Sequence, residues 1–327
     1  MLEDIPRFHL ANLPTPLHRL SHLEDSLGLN EIWIKRDDLT GLAFGGNKTR
    51  KLEYVLGKAM EENADTLVTV GALQSNHCRQ TAAAAAVAGL RCILLLAGEE
   101  PDVYEGNLLL DMLLGAELKF FPDDDFHSLS GRLDTIIDTL QDLGLKPHRI
   151  PAGAAYPLGS LGYVKAMEEV KLQFDEVGSS PDRIIMASGT AGTIAGMLVG
   201  AQLMDIDSEI IAITVMDDVE QHRAKVNNLL VEMQREYDFI PKSTPDFTID
   251  DRFLGEGYSL MSDGVKSSIE MFAKMDAILL DPVYTGRAAM ALIRMALAGE
   301  IESDEKVLFW HTGGTPSVFT KSSCFMQ

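Results

Sequence analysis

The sequence is short of cysteine, of positive charge and of long apolar runs, and each shortage excludes something. Only three cysteines, Cys78, Cys92 and Cys324, occur in 327 residues. The number is odd and no CxxC spacing exists, so neither a disulfide framework nor a metal site of the zinc type is indicated. A reducing, cytoplasmic setting is expected. Lys and Arg total 28 against 49 Asp and Glu, a formal charge of −21. A field of that sign repels phosphate backbones and anionic bilayers, which argues against a nucleic-acid or membrane partner. No apolar stretch reaches the ~18 residues that a membrane helix needs. The nearest candidate, 82–98, is interrupted by Arg91 and reads as a buried Ala-rich helix followed by a strand. The opening Met1-Leu2-Glu3-Asp4-Ile5-Pro6 lacks the basic and apolar regions of a signal peptide.

What is present is an ordinary globular composition, 46% apolar and 24% charged. At roughly 100–200 residues per domain the length predicts about two domains. Short apolar runs recur as candidate strands: Ile32–Lys35, Thr66–Val70, Ile93–Leu96, Leu118–Phe121, Ile184–Ala187, Ile210–Val215, Ala277–Leu280 and Val307–Trp310. Between them lie helix-like stretches such as 48–62, 76–88, 160–174, 191–204 and 286–298. Continuous apolar strands alternating with helices predict mostly parallel sheets with helices on both faces, an α/β architecture. Right-handed crossovers then bring strand C-termini and helix N-termini to one rim, where ligands bind. The Gly/Pro-rich stretch Pro151–Gly159 marks either a domain crossover or an active-site loop.

Four strand-to-helix turns carry more chemistry than a turn needs. In Gly45-Gly46-Asn47-Lys48 two glycines end where a helix starts. A lysine there is electrostatically misplaced, which would lower its amine pKa as a Schiff-base lysine requires. The plain alternative is a glycine turn with a surface lysine. In Gln74-Ser75-Asn76-His77 the Ser and Asn suit a helix cap. The run is also polar enough to hold a substrate carboxylate against free amides. Gly189-Thr190-Ala191-Gly192-Thr193 follows a strand and opens a helix, the recipe for a single-phosphate cup, though a structural turn remains open. It lacks a Walker lysine, and no GxGxxG follows the first strand. The fourth pair, Asp281-Pro282-Val283-Tyr284-Thr285-Gly286 and His311-Thr312-Gly313-Gly314, places Tyr284, Thr285 and Thr312 on the rim. Its lone His311 reads as a satisfied rim histidine rather than a base. A lysine at a helix start, a one-phosphate cup and hydroxyl-rich turns together make the kit that pyridoxal 5′-phosphate needs.

These motifs, in this order, resemble the D-cysteine desulfhydrase / 1-aminocyclopropane-1-carboxylate deaminase family of fold type II pyridoxal-phosphate enzymes. The likeness runs from Leu13-Pro14-Thr15-Pro16-Leu17 through Ile34-Lys35-Arg36-Asp37-Asp38 to His311-Thr312-Gly313-Gly314. It implies a two-domain, tryptophan synthase β-like fold. Residues 1–48 and 161–327 would form the large cofactor-binding domain and 49–160 a small mobile domain. The resemblance makes Lys48 the lysine that bonds the cofactor and Asn76 the partner of the ring oxygen O3′. Gly189, Thr190, Ala191, Gly192 and Thr193 become the phosphate cup. It makes Ser75 the catalytic, carboxylate-binding serine beside Gln74, Asn76 and His77. Tyr284 and Tyr258 become the active-site tyrosines, and Thr312, with Thr285 nearby, the hydroxyl facing the ring nitrogen. It also implies a small amino-acid substrate and a homodimer.

One departure separates members of the family. Ring-opening deaminases carry Glu after the Tyr of the DPVY turn, and this chain carries Thr285. A neutral hydroxyl suffices when a good leaving group departs from Cβ, so α,β-elimination from a cysteine-like substrate is expected, with D-cysteine favoured. Release of sulfite from L-cysteate is the nearer alternative, suggested by the stretch 35–50, and cyclopropane opening is the next. A non-catalytic α/β protein that binds a phosphorylated metabolite would need the cup but not Lys48.

Overall fold

The structure, a computed structural model, describes residues 2–124, 128–255 and 261–326. Its strands are β1 (Leu17–Arg19), β2 (Glu31–Arg36), β3 (Thr66–Ala72), β4 (Arg91–Ala97), β5 (Glu117–Phe121), β6 (Pro147–Arg149), β7 (Arg183–Ser188), β8 (Glu209–Thr214), β9 (Thr248–Asp250) and β10 (Lys306–His311). The helices are α1 (Ser21–Leu27), α2 (Asn47–Glu61), α3 (Asn76–Ala88), α4 (Gly106–Leu113), α5 (Leu129–Asp142), α6 (Pro157–Val177), α7 (Gly192–Leu203), α8 (Val219–Glu236), α9 (Asp263–Asp276), α10 (Thr285–Leu297) and α11 (Ser322–Phe325).

Two sheets result. The larger runs β1-β2-β10-β7-β8-β9, parallel except for β1, and the smaller runs β5-β4-β3-β6, all parallel. Side chains alternate across a strand, and both faces of each sheet are covered. Ile184, Met186, Leu308 and Trp310 enter one core with helices α6, α7 and α8, while Ile185, Val307 and Phe309 enter the opposite core with α9 and α10. In the smaller sheet Leu67, Leu94 and Leu96 pack under α2 and α3, whereas Val68, Val70, Ile93 and Leu95 pack on α5. Burial on both faces is why these strands read as unbroken apolar runs. No helix among the described residues is long and apolar enough to cross a membrane.

One expected strand is absent. Ala277 caps α9 in the left-handed conformation (φ +56°), and residues 278–280, with Ile278 and Leu280 buried and Leu279 exposed, pair with no strand among the described residues. Side chains take the place of a ladder: Leu279 O accepts from His311 Nε2 at 3.0 Å. Pro151–Gly159 joins β6 of the small sheet to α6 beneath the large one, and Gly153 lines the central cavity.

Candidate active site

The C-terminal ends of β3, β4, β7 and β10 converge on a cavity of about 290 Å³ between the two sheets. The four polar turns read from the sequence come together there. Lys48, Ser75, Asn76, His77, Gly189, Thr190, Ala191, Thr193, Tyr284 and Thr312 all line it. Gly192, Gln74 and Thr285 do not, and Tyr258 lies outside the described residues.

Lys48 stands in the first turn of α2, with Nζ 3.3 Å from Asn47 Oδ1. Burial pulls its amine down to about 8. The turn that delivers it is held by glycines. Gly313 has φ +93°, and a Cβ added to it would lie 2.6 Å from the Gly46 Cα. The two backbones therefore abut, with Asn47 N donating to Thr312 O at 2.9 Å.

The cup at the start of α7 is built on a backbone conformation rare for its residue. Ala191 has φ +65°, left-handed for a residue with a Cβ. Gly192 N donates to Thr190 O at 2.9 Å across that bend, and the turn opens a helix end whose first donors lack intrahelical partners. Asn47 Nδ2 donates to Thr193 Oγ1 at 3.0 Å, tying the lysine turn to the cup. Gly153 closes the other side, where an added Cβ would stand 2.4 Å from Thr190 Oγ1. Gly192 turns its back to the cavity, and a Cβ there would be 2.8 Å from Lys51 Nζ.

The Ser75 Oγ accepts from Cys78 N at 3.1 Å and so caps α3, and its hydroxyl also bonds the Cys78 thiol. His77 is tied to Thr69, Nε2 to Oγ1 at 2.8 Å, while Thr69 Oγ1 donates to Ile150 O at 2.8 Å. The threonine's one hydrogen is thereby used, so His77 Nε2 is the N–H donor and its partnerless Nδ1 a bare acceptor. Burial, with the amines of Lys48 and Lys51, holds His77 neutral. A bare acceptor cannot grip a carboxylate by donation. Gln74 serves α4 instead, with Nε2 donating to Glu105 O and Oε1 accepting from Asn107 N. Thr285 is turned away too. Its hydroxyl donates to Asp281 Oδ1 at 2.7 Å, in a knot where Asp281 also accepts from the backbone N–H groups of Val283, Tyr284 and Thr285. His311 is satisfied at both nitrogens, accepting from Gly313 N through Nδ1 and donating to Leu279 O through Nε2.

Two features were not read from the sequence. Lys51 is fully buried, its Nζ 3.3 Å from Gly153 O, and burial beside the Lys48 charge drives its amine well down. Its place three residues after Lys48 on one helix face was the available signal. Ser188, on the cavity wall, is bonded to buried His222 (2.8 Å), whose other nitrogen faces Asp217 (3.3 Å), itself paired with Lys225. No spacing in the sequence marks that set.

The residues fit a phosphorylated aldehyde. The turn and helix end suit a phosphate, and neither Lys48 nor Lys51 has a carboxylate partner among the described residues. A mostly parallel α/β fold with a buried lysine beside a Gly/Thr-rich helix start is the arrangement of a fold type II pyridoxal-phosphate enzyme. The family pattern "Pyridoxal-phosphate dependent enzyme" matches residues 9–313, and the chain belongs to that family. It is 38% identical over 323 residues to the D-cysteine desulfhydrase of Salmonella newport, covering 97% of each chain. It is also 38% identical over 319 residues to a Pyrococcus abyssi protein provisionally named 1-aminocyclopropane-1-carboxylate deaminase, covering 98% of this chain and 94% of that one. The crystal structure of an ACC deaminase homologue superposes with a TM-score of 0.91 at 36% identity, covering 99% of this chain and 97% of that one. A fungal L-serine ammonia-lyase from Rhizomucor miehei shares the fold, with a TM-score of 0.72 at 15% identity and 97% and 98% coverage.

Proposed function

We propose that this enzyme catalyses α,β-elimination on a cysteine-like amino acid, with D-cysteine as substrate and pyruvate, sulfide and ammonia as products after water is added. The observation that carries this reading is the absence of any carboxylate among the described residues of the cavity wall. Thr312 would be the hydroxyl facing the ring nitrogen, and with Thr285 bonded to Asp281 no acid among the described cavity residues would be at hand to deepen an electron sink. A shallow sink is enough when thiolate leaves from Cβ.

Bound at Lys48, pyridoxal phosphate supplies the sink for the electron pair left when Cα loses its proton. The cup of 189–193, with Lys51 behind it, holds the phosphate. Asn76 donates to the ring oxygen O3′. The Ser75 hydroxyl and the free N–H groups of α3 hold the substrate carboxylate, which sets the Cα–H bond within reach of Lys48. Lys48 Nζ is the base for that proton, and its lowered pKa suits the task. Tyr284 is the acid for the departing sulfur, and Tyr258 is the second tyrosine of this reading. Residues 49–160 act as a small domain that closes over the cavity and expels water, and the working unit is a homodimer.

The test is product analysis of the holoenzyme. Sulfide and pyruvate in equal amounts are expected from D-cysteine. Sulfite from L-cysteate without sulfide from D-cysteine would replace this reading by a sulfo-lyase. Formation of 2-oxobutanoate from the cyclopropane amino acid would show that an acid at 285 is dispensable for ring opening.

A further inference from the structure

Asn107 lies just outside the cavity, fully buried at the start of α4. Its Oδ1 accepts from Arg79 Nη1 at 3.1 Å, and its Nδ2 donates to Gln74 O at 2.9 Å and to Asn76 Oδ1 at 2.8 Å. Its backbone N donates to Gln74 Oε1 at 2.9 Å. Arg79 is itself buried, and its Nη2 donates to Gly45 O at 2.7 Å, in the turn that delivers Lys48.

An amide side chain can be turned either way, and the neighbours decide which. A guanidinium carries only donors, so it must meet the oxygen of Asn107. The nitrogen of Asn107 then faces Asn76, which has to answer with its own oxygen. The donor end of Asn76, Nδ2, is what remains for the cavity that Asn76 lines. The direction of the chain Arg79–Asn107–Asn76 is thus set at its far end by a permanent cation.

We infer that Asn107, oriented by Arg79, is a positioning residue that holds the Asn76 amide with its N–H end toward the cavity and so keeps the cofactor's ring oxygen as an oxyanion. This rests on the proposed pairing of Asn76 with O3′. Turned round, Asn76 would set a carbonyl against that oxygen, which favours the protonated oxygen and weakens binding.

Asn107→Asp is nearly isosteric and accepts only. It keeps Arg79 satisfied and reverses Asn76. Reconstitution of the apoprotein with pyridoxal phosphate should then show affinity reduced at least about tenfold. The absorbance of the loaded protein should move from its visible band toward the near-ultraviolet. Asn107→Ala, which removes the bias without adding charge, should shift both readings the same way by less, with circular dichroism unchanged. In an Asn76→Ala background neither Asn107 substitution should move the band ratio further, because the route runs through Asn76. Shifts of equal size in that background would overturn the inference. So would a wild-type ratio in Asn107→Asp alongside a shifted one in Asn76→Ala. A wild-type ratio and affinity in Asn76→Ala itself would remove the pairing of Asn76 with O3′ and the inference with it, a result distinct from the other two.

Discussion

The proposed chemistry turns on Lys48, whose burial makes a quantitative statement. An exposed lysine has its pKa near 10.4 and is almost wholly charged at neutral pH. Burial brings Lys48 to about 8, so a useful share of its amine is uncharged under ordinary conditions. The rate at which the apoprotein captures pyridoxal phosphate should therefore rise with pH and level off above about 8, followed by stopped-flow absorbance. A rise continuing toward 10 would show an unperturbed amine. Lys48→Ala should carry no cofactor adduct after borohydride reduction, read by mass spectrometry of the intact chain. The lysine was legible because glycines at a strand-to-helix turn mark a rim. Asn107 was not, because it reaches Asn76 from 31 positions further on, with nothing in the intervening sequence to signal the contact.

Elements were legible where both ends carried their own signals. Helix α3 spans Asn76–Ala88 as read, between the cap Ser75 and Gly89 at φ +70°. The strands β1, β6 and β9 have three residues each, too few to show a period. Residues 277–280 alternate like a strand and find no ladder, since pairing is a property of neighbours rather than of pattern. The cap that Ser75 provides and the carboxylate contact proposed for it give a prediction at this scale. Ser75→Ala should cost about 1 kcal/mol of stability through the lost cap and lose activity as well. Ser75→Asp should keep the cap and near-wild-type thermal stability, yet lose activity by setting an anion where the substrate carboxylate binds. Wild-type turnover in Ser75→Asp would put the carboxylate elsewhere. The abutment of β10 and the lysine turn is equally specific. Gly313→Ala adds a Cβ that would stand 2.6 Å from Gly46 Cα at a left-handed φ, and it should abolish cofactor retention in gel filtration.

At the scale of the whole molecule, the expected domain limits 48/49 and 160/161 fall inside α2 and α6, continuous helices with no break to read. What fastens α2 to the large sheet is a buried ionic cluster. Arg50 Nη2 lies 2.8 Å from Asp37 Oδ1 and 2.9 Å from Glu169 Oε1. Lys35 Nζ reaches the same Glu169 oxygen, and Trp310 Nε1 donates to Asp37 Oδ2 at 2.8 Å. Its members are scattered from β2 to β10, so the sequence offered no spacing to find them by. Burial alone would raise the carboxyls of Asp37 and Glu169, but Arg50 and Lys35 outweigh it and hold both below their ordinary values. A carboxyl depressed in the folded state adds stability above the unfolded carboxylate range and loses it as pH falls through its folded pKa. Arg50→Met should cost about 3–5 kcal/mol near neutrality by leaving two carboxylates short of a buried partner. It should also raise both folded pKa values toward the unfolded ones, so that the acid limb of the stability curve becomes shallower and the deficit against the wild type shrinks as pH falls. Urea unfolding followed from neutral to acid pH reads both effects. A variant with a lower midpoint but an acid limb of unchanged slope would show that Arg50 acts through packing alone.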